Sequence, residues 1–89
     1  MKTVEEQHSI ARQVVLTYIK TKKTFKLSEV KKSILKNGGI MRVGICYTVF
    51  EYLDDFDKNG VLSWKRDGND IIFSVLKNKK KDYYEKFIF

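Results

Sequence analysis

Apolar residues recur at three- and four-residue spacing from Val4 to Thr21, which is the spacing of one face of a helix. Thr3 stands just before this stretch and Glu6 follows three residues later, a pair typical of a capping box at a helix N-terminus. Leu16 falls on the otherwise polar side. The pattern predicts a first helix over residues 4–21.

Two further helices are predicted before residue 60. Ser28 is the expected N-cap of the second helix, residues 29–36, and the sequence Asn37-Gly38-Gly39 ends it because Gly and Asn readily adopt the left-handed conformation. The third helix is predicted over residues 42–58, and Asn59-Gly60 ends it in the same way. Its expected core positions are Cys46, Val49, Phe50, Leu53 and Phe56.

Residues 61–76 alternate with period two around Gly68-Asn69, which predicts a β-hairpin with a two-residue turn. The register would place three cross-strand pairs on one face, namely Arg66 with Ile71, Trp64 with Phe73, and Leu62 with Val75. Residues 24–27 form a further short segment of strand-forming composition. A basic and aromatic tail, residues 77–89, completes the chain.

The 89 residues make one small domain, and their 18 basic and 11 acidic side chains give a net charge of +7. This excess suggests a polyanionic partner, nucleic acid before an anionic membrane surface, although lysines also serve solubility alone. No apolar run approaches the roughly 18 residues of a membrane span, and no secretory leader is visible. We therefore expect a cytoplasmic protein, intracellular in its host if the source is viral, without membrane association.

The sequence gives only weak signals for metal binding, disulfide formation or catalysis. Residues 55–62 match the first eight positions of a calcium-binding EF-hand loop, but the twelfth position, which needs Glu, is Arg66. His8 has no partner at metal-ligand spacing, and we expect it to pack in the core. Cys46 is the single cysteine and is expected to be a buried thiol, with an intersubunit disulfide as the alternative. The sequence predicts no enzyme, cofactor, metal site or small-molecule effector.

Three blocks carry a resemblance to a known family: LSEVKKSIL at residues 27–35, residues 49–53, and residues 59–62 followed by the hairpin. In this order they resemble winged helix-turn-helix proteins, and in size they are similar to small regulators from archaea and archaeal viruses. The resemblance implies an α+β fold with three helices, a β-hairpin wing, and a short C-terminal helix or tail. Residues 1–76 would form the domain and residues 77–89 the tail.

In that family the helix after the turn enters the DNA major groove. The resemblance thus implies that residues 42–58 are the groove helix and that Arg42 reads guanine. The hairpin over residues 61–76 would be the wing. The other implied nucleic-acid contacts are Gly44, Tyr47 and Thr48 on the groove helix, Lys26, Ser28, Lys31 and Lys32 at the second helix, and Lys65 and Arg66 on the wing.

These expectations make the protein a transcriptional regulator that binds double-stranded DNA. A homodimer is expected, with Leu16 of the first helix and the tail residues Tyr84, Phe87 and Ile88 at its interface. The predicted third helix is acidic in its second half, through Glu51, Asp54, Asp55 and Asp57. That departure from the family keeps an alternative open, a winged helix that binds protein in a transcription or replication assembly. Nonspecific coating of DNA and RNA binding also stay open.

Overall fold

A computed structural model describes residues 2–76. Within these residues the chain is α+β, with three helices and a small antiparallel sheet, and a second two-stranded ribbon lies before the third helix. The elements in chain order are α1 (Val4–Thr21), β1 (Thr24–Lys26), α2 (Leu27–Lys36), β2 (Arg42–Gly44), β3 (Tyr47–Thr48), α3 (Val49–Lys58), β4 (Leu62–Asp67) and β5 (Asp70–Val75).

The first helix has the predicted bounds and the predicted capping box. The backbone N–H of Glu6 donates to Thr3 Oγ1 at 3.1 Å, and the N–H of Thr3 donates to Glu6 Oε1 at 2.9 Å. His8 is buried, as expected. Leu16 is only 6% exposed, so its predicted outward position is wrong. The reason is that α1 packs against α2, β2 and α3, and therefore buries more than one stripe of side chains.

The main sheet has the strand order β1-β5-β4 and is antiparallel throughout. The three predicted pairs of the β4–β5 hairpin are confirmed: Arg66 with Ile71, Trp64 with Phe73, and Leu62 with Val75. Gly68, the first residue of the two-residue turn, has a φ of 62°, whereas the φ of Asn69 is not positive. A positive φ at the first turn residue alone is typical of a type II′ turn. Hydrophobic alternation and turn chemistry therefore specify the same register.

The predicted helix over residues 42–58 is wrong in its first half. Residues 42–48 form the β2–β3 ribbon, and α3 begins only at Val49. Thr48 Oγ1 accepts from the N–H of Glu51 at 3.2 Å, while Glu51 Oε1 accepts from the N–H of Thr48 at 2.9 Å. This capping box fixes the helix start and holds Thr48 itself in an extended conformation.

The ribbon turns at Ile45 and Cys46, and both side chains are exposed. The expectation of a buried Cys46 is therefore wrong, because it rested on helical spacing that the chain does not adopt here. Val43, by contrast, is buried in the core. The ribbon is fastened to the first helix, since Arg12 Nη1 donates to the carbonyl of Val43 at 2.7 Å.

One continuous core joins the helices to the inner face of the sheet. Its buried apolar residues are Ala11, Val15, Leu16, Ile19, Phe25, Val30, Ile34, Val43, Val49, Tyr52, Leu53, Phe56, Val61, Leu62 and Phe73. Phe25 and Phe73, which are paired across β1 and β5, stack with ring centroids 5.4 Å apart. Among the helices of residues 2–76, none combines the length and apolar character that crossing a membrane requires.

Candidate nucleic-acid interface

The outer face of α2 carries lysines without acidic partners. Lys31, Lys32 and Lys36 are exposed, and none of them forms an ion pair with residues 2–76. Their apolar neighbours Val30 and Ile34 point into the core, which fixes the lysines on the solvent side. The face is therefore a row of hydrated positive charges on a rigid element.

A groove of about 560 Å³ runs from the first turns of α2 to the turn of the β4–β5 hairpin. Its lining residues are Leu27, Ser28, Lys31, Met41, Asn69 and Asp70. Ser28 and Lys31, two of the predicted phosphate contacts, thus lie beside the turn of the predicted wing. The fold brings the start of the second helix and the turn of the hairpin together.

Asp70 occupies the start of α2, where an external anion was expected to bind. Its Oδ2 accepts from Ser28 Oγ at 2.6 Å, and its Oδ1 accepts from the N–H of Ser28 at 3.2 Å. The hydroxyl of Ser28, followed by the N–H of Ile71, holds the pKa of Asp70 below its ordinary value. Ser28 is not the N-cap, which is Lys26. The chain therefore supplies its own anion at this helix terminus.

Lys26 lies beside this pair of Ser28–Asp70 hydrogen bonds, and its own side chain is also paired. Its Nζ is 3.6 Å from Asp67 Oδ2, with both side chains about half exposed. A pair this open to water is weak and exchanges easily with another anion. Lys26 is therefore only weakly held by Asp67, while Ser28 is engaged by Asp70.

The residues predicted to read bases do not lie on a helix. Arg42 and Gly44 are in β2, Tyr47 and Thr48 in β3, and Thr48 serves as the N-cap of α3. Arg42 Nη1 donates to the carbonyl of Ile45 at 2.8 Å across the ribbon turn. The predicted groove helix with these residues on its outer face is therefore wrong.

The acids of α3 are bound to the chain itself. Asp54 Oδ1 accepts from the indole N–H of Trp64 at 3.0 Å, and Asp57 Oδ2 accepts from the backbone N–H of Trp64 at 3.1 Å. Asp54 is also paired with Lys58 at 3.5 Å. The N–H and hydroxyl of Thr48 lower the pKa of Glu51, with a small contribution from the charge of Arg42. The acidity that looked unsuited to DNA binding thus fastens α3 to β4 and caps its start.

The two basic residues of the hairpin lie on opposite faces of the sheet. Lys65 pairs with Ile72, which also pairs with Lys26 of β1, so both lysines flank Ile72 on the outer face. Arg66 pairs with Ile71 and belongs to the other face. The two side chains therefore project from opposite faces of the hairpin.

The other predicted sites, the dimer interface and the EF-hand-like segment, are not seen as assembled sites in residues 2–76. The predicted dimer contacts Tyr84, Phe87 and Ile88 lie outside the described residues, and Leu16 is in the core. The EF-hand-like residues 55–66 form a helix end, a turn and a strand instead of a loop. Residues 2–76 contain no group of three His, Cys, Asp or Glu side chains placed to hold a metal ion.

The α2 lysines were visible in the sequence, because they occupy the polar positions of an amphipathic helix. The contact between Ser28 and Asp70 could not be predicted from the sequence, since it joins residues 42 positions apart. The start of α3 did have a signal, the pattern Thr48-Val-Phe-Glu51 of a capping box. No protein-family model matches this chain, and comparisons with curated proteins and with solved structures return no match.

Proposed function

We propose that this protein binds double-stranded DNA through α2 and the β4–β5 hairpin, as a winged-helix protein whose contacts are mainly to phosphates. The observation that carries the proposal is that acidic side chains have partners within the domain whereas the lysines of α2 do not. Seven acids, Glu6, Glu29, Glu51, Asp54, Asp57, Asp67 and Asp70, accept hydrogen bonds or ion pairs within the domain. The α2 lysines have no such partners among residues 2–76. The outward charge on this side is therefore positive.

The element order supports a winged-helix arrangement. Three helices are followed by the β4–β5 hairpin, and β1 adds a third strand beside β5. The groove that includes Lys31 and Asn69 places α2 next to the hairpin turn. A duplex backbone lying along α2 would meet Lys31, Lys32 and Lys36, with Lys26 and Lys65 at its side.

Base reading is expected to be a minor part of this binding. The guanidinium of Arg42, the one predicted base-reading group with a bidentate donor fork, is engaged by the carbonyl of Ile45 and lies near Glu51. Phosphate contacts position a protein without selecting sequence. We therefore propose weak sequence preference, and transcriptional regulation as the role that such binding serves.

The test is duplex binding measured by fluorescence anisotropy over a range of salt concentrations. Log affinity should fall linearly with log salt, by about 0.9 for each phosphate neutralised. Lys31→Gln and Lys32→Gln should each reduce this slope by about 0.9, and together by about twice that. Lys58→Gln, on α3 and paired with Asp54, is the matched control and should leave the slope unchanged.

Absence of duplex binding at low salt would contradict the proposal, as would equal effects of Lys32→Gln and Lys58→Gln. Titration to saturation in the same experiment gives the number of protein chains per duplex. This number tests the homodimer, which stays a prediction.

A second candidate function is binding of a protein partner, and one feature favours it. The turn of the β2–β3 ribbon presents Ile45, which is 84% exposed and whose carbonyl accepts from Arg42 Nη1. An apolar side chain this exposed suits a protein partner with an apolar pocket. Ile45→Ser should leave duplex affinity unchanged if DNA is the ligand, whereas a function that survives loss of duplex binding but not this change would favour the protein partner.

A further inference from the structure

A second basic surface lies at the C-terminal end of α1, away from α2. An open cleft of about 510 Å³ is formed there between the end of α1 and the last residues of β5. Its lining residues are Ile19, Lys20, Thr21, Lys22, Lys23, Thr24, Ser74 and Val75. Three lysines thus share one concave surface with three hydroxyl groups, and none of the lining residues is acidic.

The lysines of this cleft are available to a ligand. Lys20, Lys22 and Lys23 are exposed, and none forms an ion pair with residues 2–76. Lys22 Nζ lies 5.7 Å from the centre of the Tyr18 ring, a contact that does not neutralise its charge. Between residues 7 and 28 the chain contains no acid at all. The cleft is therefore a positive site in a locally uncompensated segment.

The floor of the cleft is rigid. The N–H of Val75 donates to the carbonyl of Lys23 at 2.8 Å, and Thr24 pairs with Ser74 across β1 and β5. Ile19, on the cleft wall, is buried in the core. The positions from which the lysines project are thus set by the sheet and by α1, which reduces the entropy lost when a ligand binds.

The cleft and the α2 surface lie at opposite ends of the sheet. Asp70, at one end of β5, contacts Ser28 of α2, and Val75, at the other end, contacts Lys23. Five residue steps along a strand separate these contacts by about 17 Å. Because the two surfaces are at separate ends of a rigid sheet, they can be occupied by separate ligands.

We propose that the Lys20, Lys22 and Lys23 cleft binds the phosphate backbone of a second DNA duplex, so that one molecule bridges two duplexes. This inference rests on the proposed function, in which α2 holds the first duplex. Lysine ammonium groups supply the charge that phosphates require, and the hydroxyls of Thr24 and Ser74 supply short hydrogen-bond donors, whereas the Thr21 hydroxyl already donates to the carbonyl of Thr17.

The test is a bridging assay with the full chain. One duplex is immobilised on beads, a second duplex of the same sequence carries a fluorophore, and the retained fluorescence is measured as protein is added. The cleft variant combines Lys20→Gln, Lys22→Gln and Lys23→Gln, and the α2 variant combines Lys31→Gln, Lys32→Gln and Lys36→Gln. Circular dichroism and Trp64 emission establish that each variant is folded.

We expect the wild-type protein to retain the second duplex and the cleft variant to lose at least tenfold of this retention. Its affinity for a single duplex, measured by anisotropy, should change by less than about threefold, whereas the α2 variant should lose single-duplex affinity as well. Wild-type binding without bridging would overturn the inference and leave the proposed function intact. Bridging that survives in the cleft variant, as a dimer joined elsewhere would give, also overturns it. Equal loss of bridging and single-duplex affinity would place the cleft on the first duplex and refute the second site. Absence of any duplex binding by the wild type would refute the proposed function itself.

Discussion

Two adjacent glycines end α2 for different physical reasons. Gly38 has a φ of 87°, a conformation that side chains with a Cβ rarely adopt. Gly39 has no such constraint but lies where α1 and α2 approach closely. A Cβ added there would be 2.9 Å from Cγ2 of both Ile10 and Ile34. Gly38 is thus required by the backbone conformation and Gly39 by the packing of α1 against α2.

Gly39→Ala should destabilise the fold by about 1–3 kcal/mol, because the new methyl group has to displace two branched side chains. Gly44→Ala is the matched control, since its added Cβ would meet only Tyr47 Cβ at an ordinary 3.5 Å. We expect the control to change the free energy of unfolding by less than about 0.5 kcal/mol. Urea unfolding followed by Trp64 fluorescence measures both values, and similar losses would contradict the packing argument.

Among the elements, α3 and the edge strand β4 are held together at Trp64. The Trp64 ring packs edge-on against Phe50, with centroids 5.2 Å apart, while Asp54 and Asp57 accept its indole and backbone N–H groups. Asp57 thus satisfies an outward N–H of β4, a position where an edge strand would otherwise invite pairing with another chain.

Asp54→Ala should cost roughly 1 kcal/mol, because the indole N–H loses its acceptor in a half-buried position. Lys58→Ala removes only an ion pair whose side chains are 70% and 30% exposed, so we expect less than about 0.5 kcal/mol. Trp64 is the single tryptophan, and its emission should shift to longer wavelength in Asp54→Ala alone. Equal shifts in both variants would indicate that the charge pair, not the hydrogen bond, sets the environment of the indole.

Three carboxylates at the starts of helices make the fold sensitive to acid. The N–H of Thr3 lowers the pKa of Glu6, the N–H of Thr48 lowers that of Glu51, and the hydroxyl of Ser28 lowers that of Asp70. Because these pKa values are lower in the folded state, the unfolded chain binds more protons in acid. Their contribution is therefore complete above the ordinary pKa of these carboxyl groups and is lost as the pH falls through their lower folded pKa values.

The variant that combines Glu6→Gln, Glu51→Gln and Asp70→Asn should show a smaller fall in Tm between pH 5 and pH 3 than the wild-type protein. Glu5→Gln is the control, since Glu5 is also in the first turn of α1 but has no hydrogen bond from its side chain to residues 2–76. Its Tm profile should follow that of the wild type. Thermal melts at each pH give the comparison, and parallel profiles for all three proteins would refute the assignment.

The elements differ in how far the sequence determines them. The bounds of α1 and the register of β4–β5 follow from local signals, a capping box in one case and a two-residue turn with matching alternation in the other. Residues 42–48 differ from the predicted helix because the helical apolar spacing extends back from Val49 to Cys46, whereas the capping box at Thr48 sets the actual helix start. Tertiary contacts decided this segment, notably the bond from Arg12 to the carbonyl of Val43. The same distinction holds for the candidate site. The α2 lysines follow from helical periodicity, whereas the contact between Ser28 and Asp70 depends on the folded topology.

At the scale of the whole molecule, the same unpaired lysines should act on stability and on binding in opposite senses. The chain has a net charge of +7, and its acids are largely engaged in short-range contacts, so the longer-range interaction among its charges is repulsive. Salt screens exposed charges with a Debye length of about 30 Å at 0.01 M and about 10 Å at 0.1 M. Raising the salt concentration from 10 to 200 mM should therefore raise Tm by a few degrees while it weakens duplex binding. In the variant with Lys31→Gln, Lys32→Gln and Lys36→Gln both responses should be smaller, because three of the repelling charges are gone. A wild-type Tm that falls with added salt would mean that attractive ion pairs dominate the fold, and the excess of uncompensated positive charge on which DNA binding depends would then be absent.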